Sequence, residues 1–111
     1  MKRGDVVLVA PSGDYGKPRP AVLIQSDALS GSDSVLIALI TTDLIEASLY
    51  RQTVLPDALN GLRMPSQIMI EKIMAFPRLK CRDPIGQLDQ KSLAALDQKL
   101  ALIIGLADPR Q

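Results

Sequence analysis

Val35-Leu36-Ile37-Ala38-Leu39-Ile40-Thr41 is an unbroken apolar run that ends on a β-branched alcohol. No polar residue alternates through it, so both faces of the strand it forms are expected to be buried, which puts it inside a sheet rather than at an edge. Two further runs precede it. Val6 to Ala10 is closed by the turn chemistry of Pro11-Ser12-Gly13-Asp14, and Ala21 to Gln25 is stopped by Ser26-Asp27 and the Ser30-Gly31-Ser32-Asp33 cluster. Downstream, Gln52 to Leu55 is short and closed by Pro56-Asp57, as an edge strand is. Asn60-Gly61 marks a tight turn, and Gln67 to Ile70 followed by Lys72 to Phe76 predicts one more strand with a kink or bulge.

The period changes in the last quarter. Leu93, Leu96, Leu100, Ile103 and Leu106 recur at three- and four-residue steps, the mark of one apolar helical stripe. Asp89 is placed to cap the first turn, Leu88 and Leu93 can staple across that cap, and Gly105 and Pro109 stop the helix. Short, closely spaced strands followed by one helix predict a mainly β domain over residues 1–111, a small, strongly bent antiparallel sheet or barrel covered by its C-terminal helix.

Composition removes several chemistries. Thirteen basic and twelve acidic side chains leave a net charge of +1, so a polyanion can be held only by a local patch. The chain has no histidine and a single cysteine, Cys81, which rules out an internal disulfide, zinc sites of the usual spacings, and Ser-His or Cys-His nucleophile pairs. Between Lys80 and Arg82, Cys81 is either a thiol of lowered pKa or, the simpler expectation, an inert one. Proton transfers then fall to carboxylates, hydroxyls or water, with arginine carrying charge stabilisation. No metal or other cofactor is expected. The opening Met1-Lys2-Arg3-Gly4-Asp5 lacks the apolar core of a signal peptide and no run reaches membrane-spanning length, so a cytoplasmic protein without membrane association is expected.

Lys17-Pro18-Arg19-Pro20 lies in a polar loop between two apolar strands. Each proline fixes its own φ and biases the residue before it toward extended geometry, so Arg19 leaves the loop in a narrow range of directions. A guanidinium held this way suits a phosphate, which it meets with a planar fork of donors; Lys17 supports it as a mobile point charge. Taken alone, the same four residues are more often simply a stiff, solvated loop.

In order along the chain, Lys2-Arg3-Gly4-Asp5-Val6, Gly16-Lys17-Pro18-Arg19-Pro20-Ala21-Val22, Ala38-Leu39-Ile40-Thr41-Thr42, Tyr50-Arg51, Asn60-Gly61-Leu62, Ser66-Gln67-Ile68-Met69 and Arg78-Leu79 to Ile85-Gly86 resemble the MazF/PemK family of toxin endoribonucleases. Each segment is a weak sign alone; their order and spacing together are strong. The resemblance implies a homodimer of small SH3-like antiparallel barrels that cuts single-stranded RNA without metal and is held inactive by a cognate antitoxin with a flexible acidic tail. It also implies that the arginine at the entry to the second strand and the threonine after the long apolar strand line the catalytic pocket, here Arg19 and Thr41. Asp14, five positions before Arg19, stands where one branch of the family has an acidic residue.

Residue chemistry supplies roles for these groups. Attack by the RNA's own 2′-hydroxyl needs a base, a charge stabiliser for the phosphorane and a proton for the leaving oxygen. Asp14 is the candidate base, Arg19 the stabiliser, and Thr41 or Thr42 a hydroxyl donor to a nonbridging oxygen. As structural residues, the threonines simply end a strand and Asp14 forms a turn. Aromatic residues make up 3% of the chain, too few for a stacking platform, which leaves Tyr15 as the one aromatic placed to stack on a base. Lys17 and Arg51 are candidates for flanking phosphates, and Ser66 and Gln67 for base edges or a subunit interface. Two other readings stay open: a gyrase-binding toxin resembling the CcdB group, disfavoured because the chain end Ile103-Ile104-Gly105-Leu106 has no aromatic anchor, and a noncatalytic SH3-like module, disfavoured by the scarcity of aromatics.

Overall fold

The computed structural model describes residues 1–10 and 17–110. Six strands form one antiparallel sheet: β1 (Asp5–Val9), β2 (Arg19–Leu23), β3 (Ser34–Thr41), β4 (Arg51–Val54), β5 (Ser66–Pro77) and β6 (Gly86–Gln87), in the spatial order β4-β5-β3-β2-β1-β6. One helix, α1 (Gln90–Ile103), follows. β4 and β6 are the two edges, so the sheet curls as a half-barrel and does not close through them. β3 has a strand on each side, as its unbroken apolar sequence requires.

Alternation along β3 feeds two cores. Ala38 and Ile40 join Val6, Val22, Ile68, Ile70 and Leu96 on the helix side, while Val35 and Ile37 join Val7, Val9, Ala21, Leu23 and Phe76 on the other. A sheet whose two faces are both dry must bend to cover itself, and β5 supplies the bend. Its register against β3 runs from Ala38↔Ile73 to Ile40↔Ile68, so six residues of β5 stand opposite three of β3. That bulge lets the first part of β5 pair with β4, from Val54↔Ser66 to Arg51↔Met69, while the second part continues along β3. The break expected between Ile70 and Lys72 is this bulge.

Asp89 caps α1 by accepting the Ser92 amide at 2.7 Å, and Leu96, fully buried, seats the helix on the sheet with Leu93 and Leu100 beside it. The helix closes where Leu106 N–H donates to Ala101 C=O at 2.8 Å and Gly105 N–H to Leu102 C=O at 3.2 Å. Ile103 and Leu106, predicted to continue the apolar stripe, are 38% and 61% exposed; the turn ends the helix at Ile103, before it reaches Leu106. Among the described residues no helix is long and apolar enough to cross a membrane.

Candidate active site

Strand register builds the site. β2 pairs with β3 as Ala21↔Leu39, Val22↔Ala38 and Leu23↔Ile37, and continuing that register by two residues brings Arg19, the first residue of β2, level with Thr41, the last of β3. Thr41 in turn faces Gln67 on β5, one residue after Ser66. Three strand ends therefore stand side by side. Over them lies a cleft of about 230 Å³ lined by Lys17, Pro18, Arg19, Pro20, Ile40, Thr41, Thr42 and Ser66.

Two cations and three hydroxyls thus line one hollow, and no carboxylate is among its described lining residues. Lys17 and Arg19 are exposed, Thr41 is half-buried, and Ser66 is only 2% exposed. The Thr41 hydroxyl accepts the Asp43 amide at 3.0 Å, which fixes the oxygen and leaves its hydrogen to be donated into the cleft. Ser66 Oγ donates to Met64 C=O at 2.8 Å, so it offers the cleft a lone pair rather than a proton. Such a set holds an anion and aims donors at it.

The structure brings Lys17, Arg19, Thr41, Thr42 and Ser66 together and places Arg51 and Gln67 elsewhere. Arg51 Nε lies 2.9 Å from Glu71 Oε2, and its Nη1 donates to Gln67 Oε1 at 3.3 Å. Gln67 clamps the chain after β3: Ile45 N–H donates to Gln67 Oε1 at 3.1 Å and Gln67 Nε2 donates to Ile45 C=O at 2.9 Å. Both side chains border a separate hollow of about 510 Å³ next to Lys99 and Glu46. Asp14 and Tyr15 lie outside the described residues. Pro18 and Pro20, read from sequence as the frame of Arg19, and Ile40, given no site role there, complete the cleft's walls; only the strand register shows that Ile40 reaches it.

Cys81 does not line the cleft. Partial burial pushes its thiol above the ordinary value, Arg78 offsetting this in part, so the basic flanks do not favour a thiolate. Among the described residues there is no group of three or more His, Cys, Asp or Glu side chains that could hold a metal ion.

Comparison with known proteins places this arrangement. A family model described as the PemK-like, MazF-like toxin of type II toxin–antitoxin systems matches residues 2–104. The chain is 34% identical over 108 residues, 96% of its length and 99% of the other's, to a probable endoribonuclease MazF of Mycolicibacterium smegmatis. Among solved structures, the Mycobacterium tuberculosis toxin MazF-mt6 superposes with a TM-score of 0.76 at 22% identity, over 90% of this chain and 95% of that one. An endoribonuclease in complex with its cognate antitoxin from a mycobacterial species reaches 0.82 at 15% identity, over 98% and 99%. A MazE–MazF complex from Deinococcus radiodurans gives 0.74 at 18%, over 95% of each chain. At these identities the structures speak for the fold, while the match across nearly the whole sequence speaks for descent: the chain belongs to the PemK-like, MazF-like toxins of type II toxin–antitoxin systems.

Proposed function

We propose that this toxin is an endoribonuclease that cuts single-stranded RNA without a metal, by attack of the ribose 2′-hydroxyl on the adjacent phosphate. The observation that carries this is the meeting of Arg19, Lys17 and Thr41 in one cleft free of carboxylates among its described lining residues. A phosphodiester seated there meets a permanent cation and an oriented hydroxyl donor. In the reaction a bond forms between O2′ and phosphorus and the bond from phosphorus to O5′ breaks, giving a 2′,3′-cyclic phosphate and a 5′-hydroxyl. The 2′ proton goes to a base, for which the sequence offers Asp14, and O5′ takes a proton from water or a bound donor. Arg19 stabilises the added charge of the phosphorane and Thr41 Oγ1 donates to a nonbridging oxygen. Arginine is too weak an acid to serve as the proton source at neutral pH, so its role is electrostatic.

The related structures solved with antitoxins support a cognate antitoxin for this chain as well. An acidic tail on that partner is drawn to the same two cations, so tail and RNA exclude one another. A homodimer, typical of the family the sequence resembles, sets two clefts on one particle. Arg19→Ala is expected to retain the wild-type melting temperature and to lose about a hundredfold or more in single-turnover cleavage measured in chelator. Cleavage near the wild-type rate, or loss of all wild-type cleavage in chelator, overturns the assignment.

A further inference from the structure

A second hollow, of about 410 Å³, shares Pro20, Thr42 and Ser66 with the cleft, so the two adjoin. Its remaining walls are mainly aliphatic, from Leu8, Leu62, Met64 and Ile85, and Arg63 is its one charged residue. Its size falls in the range of small-molecule pockets, and a few polar groups among apolar walls, here Arg63, Thr42 and Ser66, are how such pockets orient a ligand.

The wall is rigid. Asn60, 1% exposed, accepts the Leu62 amide at 3.0 Å through Oδ1 and donates to Leu55 C=O at 2.9 Å, while Asp57 Oδ1 accepts the amides of Leu59 and Asn60, each at 2.8 Å. Gly61, at φ +72°, lies so close to Ile85 that a Cβ there would strike the Ile85 carbonyl, and a Cβ at Gly86 would strike the backbone of Leu59 and Asn60. The two chain segments interlock through their glycines. Residues 61–64 are therefore held before any ligand arrives, while the Arg63 side chain is exposed and makes no hydrogen bond or ion pair among the described residues.

We infer that this hollow seats the nucleobase next to the scissile phosphate, and that Arg63 reads it as guanine. Single-stranded RNA offers unstacked bases, and an aliphatic slot takes the flat face of one where the chain lacks aromatics to stack on it. Guanine presents O6 and N7 as two adjacent acceptors, which a guanidinium fork meets together; adenine puts a donor beside its N7.

The inference rests on the RNA-cleaving reading, and its test is read only on cleavage by the wild type. Substrates permuted at each position flanking the cut are expected to show a preference for guanine of about tenfold or more at one position, reduced to about twofold or less in Arg63→Ala, with the rates on the other three bases unchanged. Arg63→Lys, which keeps the charge but not the fork, is expected to lose the preference too. Three outcomes overturn it: no guanine preference in the wild type, a uniform loss across all sequences in Arg63→Ala, or dissociation of a dimer in Met64→Asp with equal loss on every base, which makes the hollow a subunit contact. If the wild type cuts nothing, it is the nuclease reading that fails.

Discussion

Asp89 shows how one side chain both starts the helix and makes it depend on pH. Its Oδ1 accepts the Ser92 amide, and this hydrogen bond favours the ionised carboxyl, holding its pKa below the ordinary carboxylate value. A group with a depressed folded pKa contributes stability that is present above its unfolded pKa, about 3.9, and is lost as pH falls through the lower folded value. Asp89→Ala is therefore expected to melt below the wild type at pH 7, with the gap narrowing as pH falls below about 4 and the wild-type carboxyl protonates. Thermal unfolding followed by circular dichroism across that range checks it; a gap of constant size would mean that the charge on the cap contributes nothing. Asp89 as a cap was legible in the sequence because capping is local, three residues in reach. Arg51 and Gln67 were not legible in the same way, since their partners lie 14 to 22 residues distant and only the strand register brings them together.

Between residue and molecule stands the connection from β3 to β4, residues 42–50. It leaves the sheet at Thr41 and Thr42 and is pinned halfway by the Gln67 amide, which holds both the N–H and the C=O of Ile45. Arg51, fixed by Glu71, props the same amide from the other side. The clamp thus sets the path of the chain that leaves the cleft. In Gln67→Ala, amide hydrogen exchange at Ile45 is expected to speed by about tenfold, the loss of one to two ordinary hydrogen bonds, with intermediate exchange in Gln67→Glu, which keeps the acceptor and loses the donor. Unchanged protection at Ile45 in Gln67→Ala removes the clamp. At this scale the sequence was most readable: β1 to β5 and α1 lie within a few residues of the runs that predict them, because apolar pattern and turn residues are local signals. β6 escaped because two residues carry no pattern, and it exists only through Asp5↔Gln87 and Val6↔Gly86. The meeting of Arg19 with Thr41 is likewise a product of register, which no run of residues announces.

Over the whole molecule, a net charge of +1 hides how few cations face a ligand. Arg3 is paired with Asp97 at 2.7 Å, Arg51 with Glu71, Arg78 donates to the carbonyls of Ser32 and Leu29, and Lys99 to that of Ser48. These positive groups stitch loops and helix to the sheet. Those lining the cleft and the hollow beside it are Lys17, Arg19 and Arg63. Neutralising a phosphate of single-stranded RNA contributes about −0.7 to the slope of log affinity against log salt, so the two phosphate contacts expected of Lys17 and Arg19 in one subunit give about −1.4. An RNA carrying a 2′-deoxyribose at the cut position, titrated at several salt concentrations, is expected to show that slope, and each of Lys17→Ala and Arg19→Ala should make it shallower by about 0.7, whereas Arg63→Ala, which removes a base contact, should not. Arg82→Ala should leave it unchanged, since that residue lines neither hollow. A steeper slope that falls on removing Lys80 or Arg82 instead would move the RNA onto the basic segment around Cys81, and the cleft would lose its claim to the substrate.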